Sequence, residues 1–251
     1  MKNKIFYILP AFNESLNINT LLKKFNNFYK KKNVPIIIVF VDDGSTDDSI
    51  KKITFIKKKI CKKIKIKILT HKKNYGLGTA LKTGFNFCFK FAKAEDIIVT
   101  MDTDNSHTID LSFKMIKKII FDNNDIVIAL RYRKNSKTKG LDYLRKTLSI
   151  GAALLFKFFF PIKNIRDYTS GFRAFRVKKI KNICYKKNFF SETGFSVSAD
   201  ILLKLYPFRK KLNFQELPIN LRYDLKQGKS KMKILKTIYL NLRLIFIRKI
   251  L

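Results

Sequence analysis

The sequence predicts an α/β fold with a mostly parallel sheet flanked by helices, and three observations carry that expectation. Short β-branched or aromatic runs alternate with longer helical patterns through the first half of the chain, the sequence form of βαβ units. Hydrophobic residues make up 46% of the 251 positions and aromatics 14%, enough for a sizeable core, while 9 Gly and 5 Pro are too few for a fibrous or linker-like chain. Carboxylate-rich segments follow the apolar runs, as expected where open α/β sheets bind ligands beyond the carboxyl ends of their strands.

The strands are expected at Ile5–Leu9, Ile36–Val41, Ile64–Leu69, Asp96–Met101 and Asp125–Leu130. Between them Leu, Ile and Phe recur at three- or four-residue spacing around Leu16–Tyr29, Asp48–Ile60, Leu77–Phe91 and Ile109–Phe121, which predicts amphipathic helices. Lys137–Gly140 reads as a mobile linker. It precedes a helix from Leu141 to Phe160, a turn-rich Asp167–Arg173, a helix near Ser198–Tyr206, a strand near Phe214–Tyr223 and a last basic helix from Met232. No internal repeat interrupts this order.

The 54 basic and 18 acidic residues give a formal charge of +36, which favours phosphate-bearing partners or an anionic membrane surface. Most of the basic residues are Lys, and the chain is also rich in Ile, Asn and Phe, as AT-rich coding produces without selection for a partner. Charge alone therefore names no ligand. Cys61, Cys88 and Cys184 stand far apart with no CxxC pair, which suggests reduced thiols in a cytosolic setting. Ile5–Leu9 is too short for a signal-peptide core, and no stretch has the roughly 20 apolar residues of a transmembrane span.

Asp102-Thr103-Asp104 stands out among the polar segments. Two carboxylates at i and i+2 leaving a buried strand can both reach one hard cation, and the cation neutralises a nucleotide diphosphate. Read alone, the pair could equally be a helix cap and a solvated side chain. Asp42-Asp43-Gly44-Ser45-Thr46-Asp47 suits a loop gripping a nucleoside, or a helix cap. Gly76-Leu77-Gly78 follows the third strand and lacks the third glycine of a dinucleotide fingerprint. Arg145 and Ser149, at i and i+4 on a predicted helix that runs on into the apolar Ile150–Phe160, suit a lipid phosphate.

In order along the chain stand Pro10-Ala11-Phe12-Asn13-Glu14, Val41-Asp42-Asp43-Gly44-Ser45, Asn74-Tyr75-Gly76-Leu77-Gly78, Asp102-Thr103-Asp104-Asn105-Ser106-His107, Arg131-Tyr132, and Asp167-Tyr168-Thr169-Ser170-Gly171-Phe172-Arg173. This series resembles the GT-A glycosyltransferases of family two, and within them the dolichol-phosphate mannosyltransferase and polyprenyl-phosphate glycosyltransferase group. The resemblance implies a GT-A, Rossmann-like sheet. It assigns Pro10, Phe12, Asn13, Glu14, Asp42, Asp43 and Asp102 to the nucleotide sugar, and Asp102, Asp104 and Ser106 to Mg²⁺ or Mn²⁺, with His107 structural. It further places Arg131, Arg145, Ser149, Arg222 and Lys231 at the acceptor phosphate, Lys231 closing a Gly228-Lys229-Ser230-Lys231 stretch similar to that group's Gly-x-Ser-Lys ending. Asp104, Arg131 and Arg145 are the expected catalytic residues.

Many bacterial and archaeal members of the family continue into transmembrane helices, whereas this chain ends at Leu251, so surface binding of lipid is expected. Met232–Leu251 places Ile234, Leu235, Ile238, Tyr239, Leu242, Ile245 and Phe246 on one side and Lys233, Lys236, Arg243 and Arg248 mostly on the other, the pattern of an interfacial amphipathic helix or of one packed on the domain. The expected organisation is a catalytic domain over 1–231 and a basic amphipathic membrane-surface helix over 232–251, on the cytoplasmic face of a membrane. The expected reaction is an inverting transfer of a hexose, first of all mannose from GDP-mannose, from a nucleotide diphosphate sugar to a polyprenyl or dolichyl phosphate. An integral membrane subunit is a further possible partner, and no specific nucleic acid is expected. A saccharide-hydroxyl acceptor would instead need a carboxylate base, for which Asp200 or Glu192 could serve. A basic nucleic-acid or anionic-surface module would explain the charge but not the ordered carboxylates.

Overall fold

The computed structural model describes residues 3–59, 63–131, 136–139, 143–186, 188–225, 227 and 234–250. Its first half is the predicted alternation: β1 (Ile5–Ala11), α1 (Ser15–Lys32), β2 (Ile36–Asp42), α2 (Ser49–Lys59), β3 (Lys65–Thr70), α3 (Leu77–Phe91), β4 (Ile97–Thr100), α4 (Ile109–Phe121) and β5 (Ile126–Leu130). There follow β6 (Lys137–Lys139), α5 (Tyr143–Phe159), β7 (Arg173–Arg176), α6 (Val177–Cys184), α7 (Val197–Leu205), β8 (Phe214–Pro218), β9 (Asn220–Arg222) and α8 (Ile234–Ile250). Seven strands form one sheet in the order β3-β2-β1-β4-β7-β5-β8, and β6 pairs with β9 in a second.

Both faces of the large sheet are covered, so its central strands read as continuous apolar runs. Side chains still alternate by face. Phe6, Ile8, Val39, Val41, Ile98 and Ile128 share one core with α3, α5 and α7. Their neighbours Ile5, Tyr7, Phe40, Ile97, Val99 and Val127 share the other with α1, α2 and α4. The edge strand β3 exposes Lys65 and Lys67 on either side of the buried Ile66, a charged edge that resists pairing with another chain. Asn33, with φ at 47°, ends α1 by donating its N–H to the carbonyl of Tyr29, a left-handed terminus that Asn tolerates.

The later half departs from expectation in three places. Arg173–Arg176, expected within or beside a turn-rich segment, is a central strand, antiparallel to both β4 and β5. Lys137–Lys139, expected as a mobile linker, pairs in parallel with Asn220–Arg222. The strand expected over 214–223 is broken into β8 and β9. Pro218 lies at the end of β8 on the sheet's edge, where its missing N–H costs no ladder bond. The C-terminal helix α8 is packed on α5 and α7, with Leu244 and Ile245 buried, while Tyr239, Leu242 and Phe246 stay exposed. The apolar side expected to face a membrane is thus split, part of it turned into the protein. Among the described residues, no helix is long and apolar enough to cross a membrane. Cys88 and Cys184 are free and buried, and Cys61 lies outside the described residues.

Phe85 of α3 ties this assembly together, being 1% exposed with ring centroids 5.6 Å from Phe89, 5.6 Å from Phe175 of β7 and 5.1 Å from Phe190. Phe85→Ala is expected to cost about 3–5 kcal/mol, the range for emptying a close-packed aromatic site. Urea unfolding of the variant against the wild type checks it, and a loss below about 1 kcal/mol would mean that the site collapses around the missing ring.

Candidate active site

The parallel strands bring their carboxyl ends to one edge: Ala11 is in register with Asp42, and Ile8 with Thr100. A cavity of about 760 Å³ opens there. Its walls include Pro10, Phe12 and Glu14 after β1, Asp43 after β2, Asp102 and Asp104 after β4, and Arg131 after β5. Ser149 and Leu155 of α5 and Ile238, Leu242 and Ile245 of α8 complete it, so that charged and apolar surface meet in one space.

Asn13 does not line the cavity but fastens its rim. With φ at 51°, it donates its backbone N–H to Ser45 Oγ (2.9 Å), and its side-chain oxygen accepts from the N–H of Thr46 (2.8 Å). Glu14 N–H reaches Ser49 Oγ at 2.9 Å, and Ser15 N–H reaches Asp47 Oδ2 at 3.0 Å. The loops after β1 and β2 are therefore closed on each other through Ser45, Thr46 and Asp47.

Of the two expected nucleoside carboxylates, only Asp43 lines the cavity. Its Oδ1 lies 2.7 Å from His71 Nδ1 and accepts from Tyr75 N–H at 3.0 Å, and its Oδ2 accepts from Gly76 N–H at 2.7 Å. Asp42 is fully buried and is not part of the cavity wall. Its Oδ2 accepts from Ser45 N–H (3.2 Å), and its Oδ1 has no hydrogen-bond partner among the described residues.

Asp102 and Asp104 both line the cavity, Asp102 half-exposed and Asp104 buried. Ser106, expected as a metal ligand, stands behind Asp104: it is 1% exposed, and its hydroxyl and N–H donate to Asp104 Oδ1 at 2.6 and 3.0 Å. The geometry gives it the task of orienting that carboxylate. His107 stacks on Phe172 with centroids 4.6 Å apart, and its Nδ1 accepts from Asp102 N–H at 3.2 Å. In the neutral ring the proton is therefore on Nε2, which lies 3.9 Å from Asp102 Oδ2. Among the described residues no group of three or more His, Cys, Asp or Glu could hold a metal ion by itself. Two hard carboxylates facing one cavity nevertheless suit Mg²⁺ or Mn²⁺, ions that keep much of their shell for water and substrate phosphates.

The cavity's basic group is built around Arg131. Its Nε donates to Asp167 Oδ2 at 2.8 Å and its Nη2 to Asp167 Oδ1 at 2.7 Å, with further bonds from Nη2 to Ser149 Oγ (3.2 Å) and to Thr169 Oγ1. Burial alone would push the Asp167 carboxyl up, but Arg131, with Arg173 adding to it, holds it below the usual carboxylate range. Arg145 lies one helical turn before Ser149 on α5, and its side chain is outside the described residues, as is all of Lys231. Arg222 pairs with Asp224, both contacts at 2.8 Å, and does not line the cavity. Neither do Asp200 and Glu192, the two candidate bases for a saccharide acceptor. His71, Asp167 and Thr169 carry no role in the sequence reading. The available signals were that His71 adjoins a strand end expected at the site edge, and that Asp167 and Thr169 lie in the Asp167–Arg173 stretch that carries the family resemblance.

These features define a GT-A glycosyltransferase fold, and comparison with known proteins agrees. Mannosyl-3-phosphoglycerate synthase from Rubrobacter xylanophilus superposes with a TM-score of 0.70 at 13% identity, over 98% of this chain and 74% of that one. Glucosyl-3-phosphoglycerate synthase from Mycobacterium tuberculosis, solved with Mn²⁺, UDP and phosphoglyceric acid, gives a TM-score of 0.66 at 16% identity, over 98% of this chain and 78% of that one. The model of glycosyl transferase family 2 matches residues 7–184, and the chain belongs to that family. It is also 30% identical over 244 residues to the dolichol-phosphate mannosyltransferase of Pyrococcus furiosus, which covers 97% of this chain. The chain spans 63% of that relative's length.

The Arg131–Asp167 pair yields a pH test. Asp167 has a folded pKa below its ordinary value of 3.8, so its contribution is complete above that pH and is lost as pH falls through the lowered folded value. Asp167→Asn, which strands a mostly buried guanidinium, is expected to cost about 3 kcal/mol at pH 7. The gap between variant and wild type should narrow as acid protonates Asp167. Urea unfolding at pH 7 and at stepwise lower pH measures it, and a gap that stays constant through acid would refute the assignment.

Proposed function

We propose that the protein is an inverting glycosyltransferase that moves a hexose, mannose from GDP-mannose as the first candidate, from a nucleotide diphosphate sugar to a polyprenyl or dolichyl phosphate. One observation carries this reading. A single cavity joins the carboxylates Asp102 and Asp104, the Arg131–Ser149–Thr169 cluster and the apolar walls of α5 and α8. Similarity to an archaeal dolichol-phosphate mannosyltransferase over nearly the whole chain supports the same acceptor class.

Asp102 and Asp104 would hold a divalent ion, with Ser106 fixing the Asp104 carboxylate and the His107 ring braced on the Asp102 backbone. When bound, such an ion stabilises the negative charge that accumulates on the departing diphosphate. Pro10, Phe12 and Glu14, with Asp43 at the cavity wall, form the surface offered to the nucleotide. The acceptor side needs no general base. A phosphate monoester has a second pKa near ~6 and is already anionic at neutral pH, whereas a sugar hydroxyl must lose a proton as it attacks. Arg131, Ser149 and Thr169 supply donors that position and balance an anionic acceptor, and Arg145 extends them by its place on α5. The carboxylates that a hydroxyl acceptor would call on, Asp200 and Glu192, are committed to Arg248 and Arg243 away from the cavity.

The outer surface suits binding from the cytoplasmic face of a membrane. Packed together, α5 and α8 expose Leu154, Phe158, Tyr239, Leu242 and Phe246, on a chain with net charge +36. Apolar side chains within a basic protein match an interface of anionic lipid.

Two measurements test the proposal. With Mn²⁺, a short polyprenyl phosphate and a panel of labelled sugar nucleotides, label should enter the organic phase. Asp102→Asn and Asp104→Asn should abolish transfer, and Arg131→Ala should lower kcat/KM by about 10²-fold. Transfer to a free saccharide but not to the lipid phosphate would reject the acceptor. Separately, Phe158→Ser/Phe246→Ser should reduce co-sedimentation with phosphatidylserine vesicles several-fold while leaving neutral vesicles unbound; unchanged co-sedimentation would reject the membrane surface.

A further inference from the structure

We infer that Arg243 and Arg248 of α8 are positioning residues for the loop that holds Asp43, acting through the strap Ser191–Gly194. The inference rests on the proposed function only in taking Asp43 as part of the nucleotide site; the mechanical link from α8 to that loop stands on the contacts alone.

The strap lies directly on the loop. Gly78 N–H donates to the carbonyl of Thr193 at 2.7 Å. A Cβ at Gly78 would stand 1.8 Å from the carbonyl oxygen of Glu192, and one at Gly76 would stand 2.4 Å from that of Thr193. Gly76 also has φ at +94°, a conformation that side chains resist. These glycines let two backbones touch where any larger residue would hold them apart. The same short segment presents the N–H groups of Tyr75 and Gly76 to the two oxygens of Asp43. A displaced strap therefore releases the donors that fix this carboxylate.

The strap is tied to its own end of α7 by Ser191 Oγ, which donates to Asp200 Oδ2 at 3.3 Å, and α8 adds a second hold. Arg248 Nε donates to Asp200 Oδ1 at 2.9 Å, and its Nη2 is 2.8 Å from the same oxygen and donates to Ser191 Oγ at 3.0 Å. Lys204 completes the set, 2.9 Å from Asp200 Oδ2 and 2.7 Å from Ser191 Oγ. Asp200 is fully buried at the foot of the strap, so this is a desolvated cluster and not a surface pair. Arg243 Nη1 lies 3.3 Å from Glu192 Oε1, whose partner oxygen accepts from Ser196 Oγ at 2.9 Å. The two arginines thus grip the strap at Ser191 and at Glu192. Both carboxylates that seemed available as bases work as anchors.

The experiment measures amide hydrogen exchange in the full chain without ligand, resolved at Tyr75, Gly76 and Gly78, for wild type, Arg243→Ala, Arg248→Ala and Arg248→Lys. Protection at these amides should fall about tenfold in either alanine variant, the scale of one contact-level coupling, while amides of β1 and β2 keep theirs. Arg248→Lys, which keeps the charge but not the fork, should recover part of the loss. Because Arg248→Ala leaves the buried Asp200 with Lys204 as its one cation among the described residues and could unsettle α7, the half-exposed Arg243→Ala stands as the milder variant. Unchanged protection in Arg243→Ala and in a folded Arg248 variant would overturn the inference. Titration of GDP and of UDP with Mn²⁺ is the second reading, and the affinity of whichever binds should weaken in parallel. Lost protection with unaltered affinity would leave the clamp standing and remove Asp43 from the nucleotide site, a failure of the functional reading and not of this one.

Discussion

The site depends on β7 lying antiparallel between two strands that run the other way. Its register sets Arg173 opposite Thr100 of β4 and opposite Ile128 of β5. The chain entering β7 must therefore cross the carboxyl edge of the sheet. There Thr100 Oγ1 donates to the carbonyl of Gly171 at 2.7 Å, and Ala129 N–H to that of Phe172 at 3.0 Å. This crossing delivers Asp167 and Thr169 to Arg131 and sets the ring of Phe172 against His107. A parallel strand at the same place would have put these residues at the opposite edge.

The same strand carries an uncommon interior charge. Arg173 is 1% exposed, and one of its nitrogens donates to the Tyr168 carbonyl at 2.8 Å, while Nε and Nη1 have no hydrogen-bond partner among the described residues. Burial pulls its pKa down to about 9, against the opposing effect of Asp167. Asp167 thus answers two guanidinium groups at once, one lining the cavity and one beneath it. Glu216 of β8 braces the segment by accepting from the N–H groups of Arg166 and Asp167 at 2.7 and 2.6 Å, and burial raises its own pKa. Such a network is costly to desolvate and is tolerable because its members hold one another.

How far the sequence discloses this architecture follows from which physical signal each part leaves. The β1–β5 half was legible because strands covered on both faces are apolar throughout and their helices keep a three-to-four spacing. Asp102 and Asp104 were legible because polar residues leaving such a strand have one direction to go. β7 was not, since Arg173 and Arg176 mark it as exposed, and the groups that make those charges acceptable lie outside the strand: Asp167 and the Tyr168 carbonyl for Arg173, Asp125 and the carbonyls of Ile119 and Asn124 for Arg176. Nor was the role of Ser106, which depends on which face of Asp104 it occupies, or the turning inward of Ile245, which depends on where α5 stands. Pairings between distant segments leave no local pattern, and His71 with Asp43 is one of them.

The contact between Glu192–Thr193 and Gly76–Gly78 has a consequence for how this sequence can change over time. Neither glycine can gain a side chain unless the opposing backbone retreats, and the opposing backbone cannot lengthen or shift without losing its seat on the glycines. Substitution on one side is thus tied to insertion or deletion on the other, although more than a hundred positions separate them in the chain. In divergent descendants of this protein the two segments should drift together or not at all.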